Sequence, residues 1–153
     1  MKWAMDADSR DDFVQSTKTQ ALYLWIGLCL ALTLFFVQSQ MFFVKTDPLP
    51  SQSLEWVFAF LGLVTFLFGY FFYRAYISLR RKQIMQLTLP DRKQSVLVAF
   101  VLQYVLFETL GLYGVLLSVL MQNTVKAIPF VLFAYLGFVL SFPKKEKIQA
   151  LFE

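Results

Sequence analysis

The apolar positions of this chain fall in long unbroken runs rather than alternating with polar ones, a pattern of helices surrounded by hydrocarbon and not of half-buried strands. Four runs approach the roughly 20 residues that carry a helix across about 30 Å of hydrocarbon. They lie at about 21–44, 56–73, 96–121 and 125–142. The pattern predicts an all-α integral membrane protein with four transmembrane helices, arranged as an antiparallel bundle or as two hairpins, in one membrane domain over residues 1–153. Residues 1–20 form a short polar tail of mixed charge, without the apolar core and small-residue cleavage site of a signal peptide, so the first run is expected to stay as an anchor. Pro48 and Pro50 cannot continue a helix and predict a tight turn over Lys45–Pro50. The connection from Gln122 to about Lys126 is so short that the third and fourth spans must be antiparallel neighbours.

Polar residues inside the runs are few, and each needs a reason to be there. Glu108 stands near the midpoint of the third run, where an ionised carboxylate costs about 2.5–3.5 kcal/mol or more. Hydrocarbon penalises the charged form, so the acid is expected to be protonated at neutral pH unless a cation pairs with it. Gln103 and Tyr104 precede it by about one turn, and Tyr104 shares its side of the helix by the four-residue spacing. Thr109 and Tyr113 make a second pair four apart on an adjacent side. In the second run, Thr65 is the mid-span side chain able to hydrogen-bond Glu108. The small residues Ala59, Gly62, Thr65 and Gly69 recur there among phenylalanines and mark one narrow side for helix packing or for lining the Glu108 position. Tyr23 and Trp25 near the start of the first run read as interfacial anchors.

Composition agrees with the pattern: 58% of the 153 residues are hydrophobic and the mean hydropathy is +0.59, leaving no room for a soluble domain of useful size. Charge adds orientation. Lysine and arginine number three in the N-terminal tail, six in the basic stretch 74–95 and three in the C-terminal tail, against Lys45 and Lys126 in the other two connections. Twelve against two is a strong positive-inside bias, which places both termini and the 74–95 loop in the cytoplasm, in a bacterial inner membrane. The apolar residues Ile84, Met85, Leu87 and Leu89 suggest that the loop lies partly on the membrane surface. The chain has no histidine and one cysteine, Cys29, so Ser-His-Asp and Cys-His catalysis and an intrachain disulfide are excluded, and no zinc or haem site of the usual ligand types is expected. No cofactor is expected, nor nucleic acid, since the net charge of +4 is an orientation signal.

The segment Glu108-Thr109-Leu110-Gly111-Leu112-Tyr113-Gly114 resembles the carboxylate-bearing helix of the proteolipid c subunits of rotary ATP synthases and V-type ATPases. The likeness extends over the second and third spans, with a basic proline-containing connection (Pro90) about eighteen residues before the acid. The resemblance implies that Glu108 binds the ion, that Thr109 supplies a hydroxyl ligand and that Tyr113 braces the carboxylate, with the Leu106 carbonyl nearby. It implies a proton rather than sodium, because the second span offers no glutamine of the kind found in sodium-binding members. Gly62 and Gly69 are its sole glycines, so the dense glycine repeat of the family is absent, and no internal repeat relates the outer spans to the inner pair.

Two function classes follow. One is a membrane subunit that takes part in proton translocation through Glu108, supported by Thr109 and Tyr113 and by Tyr104, Gln103 and Thr65. The other is a non-catalytic accessory, scaffold or assembly subunit in which Glu108 is a structural hydrogen-bond contact. Neither is an enzyme in its own right. Both imply the lipid bilayer and other membrane subunits as partners, in a homo- or hetero-oligomer.

Overall fold

The computed structural model describes residues 7–41 and 52–149, and over these the chain is helices and the turns that join them, without a strand. Helix α1 spans Ala7–Met41, α2 Gln52–Gln86, α3 Leu89–Met121, α4 Ile128–Leu140 and the short α5 Lys145–Gln149, with a 3-10 turn at Thr124–Lys126. The expected turn over Lys45–Pro50, the end of the first run and most of the polar N-terminal tail fall outside the described residues. α1, α2 and α3 are long and apolar enough to cross a membrane, while the apolar stretch Thr124–Leu140 is shorter. Outward faces carry Leu30, Leu34, Phe60, Phe68 and Leu132, each more than half exposed, a sheath of apolar surface unlike that of a water-soluble monomer.

α3 is the centre of the bundle, and α1, α2 and α4 all pack on it. Its buried residues Val96, Phe100, Gln103, Phe107, Leu110, Gly114 and Leu117 alternate steps of four and three, the seam by which a helix keeps one side toward its neighbours. The glycines let neighbours come close. Gly69 of α2 and Gly137 of α4 both face the ring of Phe107, which is fully buried, and a Cβ on Gly69 would stand 3.1 Å from that ring. Gly111 faces Leu32 of α1 and Gly114 faces Phe130 and the backbone at Ala127. Aromatic rings fill the rest: Tyr73, Phe100, Tyr104, Phe138, Phe107 and Phe66 form a continuous series of ring contacts through the core.

Two elements differ from the sequence expectation. Residues 74–95 are not a surface loop: α2 continues to Gln86, α3 begins at Leu89, and the connection shrinks to Leu87 and Thr88. A hydropathy run ends where polar residues begin, but a helix does not. Arg92 locks this turn, its Nε donating to the Ile84 carbonyl at 3.2 Å and its Nη2 to the Met85 carbonyl at 2.7 Å, so a cation meets the negative end of α2. Pro90 sits in the first turn of α3, where its missing N–H costs nothing. The fourth helix is shorter than the 125–142 run: Gln122 turns left-handed (φ 48°), the Asn123 side chain accepts from the Val125 N–H at 3.0 Å, and α4 itself has 13 residues. That is about 20 Å of helix, short of the hydrocarbon thickness. α3 and α4 are antiparallel neighbours, as the short connection requires.

Candidate functional site

Helical geometry fixes where Glu108 stands. It is one position beyond Phe107 at the centre of the buried seam, four after Tyr104 and three before Gly111, and Gly111 packs on Leu32 of α1. The acid therefore lies on the flank of α3 that adjoins α1. It is half-buried, and it makes no hydrogen bond or ion pair with any of the described residues. The opposite flank of α3 belongs to α2, where Leu106 and Phe107 meet Gly69 and Leu110 meets Gly62.

The other residues singled out by sequence divide between these sides. Gln103 is buried and its Nε2 donates to the Gly69 carbonyl at 3.1 Å, a bond that ties α3 to α2. Tyr104 is fully buried, but its hydroxyl turns to α4 and donates to the Ser141 carbonyl at 3.4 Å rather than to the acid one turn above it. The Thr109 hydroxyl donates to the Val105 carbonyl of its own helix at 2.8 Å. Tyr113 sets its ring edge-on to Phe58 of α2, centroids 6.0 Å apart. Five residues separate Glu108 from Tyr113, which puts the two well over a quarter-turn apart around α3. Thr65 is half-buried on α2, one turn from Gly69, and so also belongs to the α2 flank. Within one chain, then, Gln103, Thr65 and Tyr113 gather on the α2 side, while Glu108 stands apart from them on the α1 side.

No known protein family, curated protein or solved structure matches the chain. The site is therefore weighed on its own chemistry. A half-buried carboxyl without a hydrogen bond among the described residues can act in two ways: as a donor or acceptor to a group on another chain, or as a proton carrier when a polar path reaches it.

Two polar groupings went unnoticed in the sequence. At the end of α4, side chains of α1, of α3 and of the capping Ser141 converge on backbone carbonyls. The Trp25 indole N–H of α1 donates to the Phe138 carbonyl at 2.8 Å, the Ser141 hydroxyl donates to the Gly137 carbonyl, and Tyr104 reaches Ser141. Trp25 had the look of an interfacial anchor, and its indole instead pins α1 to α4, whereas Tyr23 is 70% exposed. At the other end of the bundle Lys126 Nζ donates to Glu55 Oε2 at 2.8 Å, joining the α3–α4 connection to the start of α2. The signal for this pair was present: an acid and a base, each at the end of a span on the same side of the predicted membrane.

Proposed function

We propose that this chain is a non-catalytic membrane subunit of a larger assembly, and that Glu108 contacts a neighbouring subunit at the α1–α3 seam. The observation that carries the reading is the half-buried acid at the middle of the central helix, without a hydrogen-bond partner among the described residues. Every other strongly polar side chain at that depth of α3 is already engaged, Gln103 with Gly69 and Thr109 with Val105. In hydrocarbon a protonated carboxyl gains from one hydroxyl or amide on a neighbour, at about 0.6–2 kcal/mol per bond. The exposed apolar sheath of α1 beside it supplies the rest of such a contact. The charge asymmetry supports an orientation with both termini and the Leu87–Thr88 turn in the cytoplasm.

The ion-linked reading keeps one observation in its favour: among the described residues no bond holds the Glu108 proton, which leaves it able to exchange with a group on another subunit, as the resemblance to c-type proteolipids implies. Two substitutions separate the readings. Under the accessory reading Glu108→Gln still donates a hydrogen bond and leaves the assembly intact, Glu108→Leu weakens it, and proton flux in membranes that carry the protein is unchanged by Gln. Native gel electrophoresis of solubilised membranes and a proton-flux assay score the pair together. Loss of proton flux in Glu108→Gln with an intact assembly would establish the ion-linked reading instead. An assembly indifferent to Glu108→Leu would end the contact reading.

A further inference from the structure

α2 and α4 both rest on α3 and touch each other far less, so a groove is left between them at the Glu55–Lys126 end of the bundle. It holds about 520 Å³ and is lined by Gly62, Leu110, Phe66, Phe130 and Phe133. Nothing in these walls can bond to water or to a polar ligand. At the mouth the chemistry changes abruptly: Lys126 and Glu55 face each other at 2.8 Å with side chains 37% and 31% exposed, beside the 70% exposed Trp56. An aromatic ring next to a charge pair at the end of an apolar run is the composition of a membrane interface.

The dimensions select the occupant. From Glu55 to Phe66 the groove follows α2 for about 17 Å at 1.5 Å per residue, close to half of the roughly 30 Å hydrocarbon thickness. An apolar groove one leaflet deep that opens at a charged mouth matches a single polymethylene chain tied to a headgroup. We propose that the groove holds one acyl chain of phosphatidylethanolamine, the lipid phosphate at Lys126 and the primary ammonium at Glu55. The headgroup carries one anion and one hydrogen-bonding cation, matched in sign to the Lys126 ammonium and the Glu55 carboxylate. A phosphatidylglycerol headgroup ends in a neutral glycerol, which offers Glu55 hydroxyls but no countercharge. This site is independent of the Glu108 contact and goes beyond it.

The test uses the full chain reconstituted in vesicles of equal parts dioleoyl phosphatidylethanolamine and dioleoyl phosphatidylglycerol, extracted in mild detergent and weighed by native mass spectrometry. One phosphatidylethanolamine should remain per chain, retained at least tenfold over phosphatidylglycerol. Ala59→Phe, which places a ring from an exposed position of α2 into the groove, should lower lipid occupancy at least tenfold. Glu55→Lys should invert the preference toward phosphatidylglycerol, and it decides the matter alone if Ala59→Phe does not fold. Equal retention of the two lipids by the wild type, occupancy unchanged by Ala59→Phe, preference unchanged by Glu55→Lys, or a wild-type dimer that Ala59→Phe splits would each overturn the proposal.

Discussion

Phe107 is held between two glycines on different helices, and this makes a sharp test of how the bundle is packed. The ring is fully buried, lies 6.0 Å from the Phe66 ring and 6.2 Å from the Phe138 ring, and occupies the space where Gly137 has no side chain. A Cβ at position 137 would fall inside the contact distance of three carbons of that ring, and the ring has little room to swing away because the backbone of Gly69 faces its other side, close enough that a Cβ there would stand 3.1 Å from it. Gly137→Ala therefore sets two effects against each other: helix propensity gains about 1 kcal/mol, while overpacking costs about 1–3 kcal/mol. The net expectation is a loss of up to about 2 kcal/mol. Gly27 is the internal control, since a Cβ there meets nothing within 4 Å and only the propensity gain remains. Stability is measured by reversible sodium dodecyl sulfate titration of the solubilised protein, comparing the two alanine variants. Phe107→Leu combined with Gly137→Ala should cost less than the two separate losses added, with a coupling of about 1 kcal/mol or more. Equal stability of Gly27→Ala and Gly137→Ala, or additivity in the double variant, would refute the packing described here.

Two further outcomes are expected. Arg92→Ala should remove the clasp on the Ile84 and Met85 carbonyls and expose the amides around Leu87 to hydrogen exchange, with Arg92→Lys recovering only part because an ammonium lacks the planar fork; unchanged protection in Arg92→Ala would sink this reading. For topology, a cysteine at Asn123 should react with an impermeant thiol reagent added outside intact cells and one at Lys82 should not, and labelling at Lys82 from outside would reverse the proposed orientation.

The helices were legible because hydrocarbon-facing runs leave a dense signal, and the bundle's centre was half legible. The 96–121 run stood out, yet nothing in it announced that α3 would be the helix on which α1, α2 and α4 rest, since its apolar residues surround it on every side. That is settled by where glycines fall on neighbours: Gly69 and Gly137 are far apart in sequence and meet at one phenylalanine. The extent of α2 was missed for a different reason. Arg74, Arg80, Arg81 and Lys82 end the hydropathy signal but are good helix formers, and Arg92 supplies the C-terminal bonds that let the helix run on to Gln86. The length of α4 was overstated because Val125 and Ala127 are apolar while their backbone belongs to a 3-10 turn started by Asn123.

The site was legible as residue types and not as geometry, and the reason lies in the angular arithmetic of one helix. Gln103 and Glu108 are the two residues of the middle of α3 whose side chains most need a partner, and they are five positions apart, which places them on different sides of the helix. The side of Gln103 meets α2, whose approach at Gly69 is close enough for the amide to reach a backbone carbonyl. The side of Glu108 meets the edge of α1, where Leu32 covers Gly111 and the hydroxyl of the next residue, Thr33, is already bonded to the Cys29 carbonyl and to Tyr135 of α4. The same length of helix thus spends one polar residue on holding the bundle together and leaves the other without a bond among the described residues, which is the property that the proposed subunit contact uses.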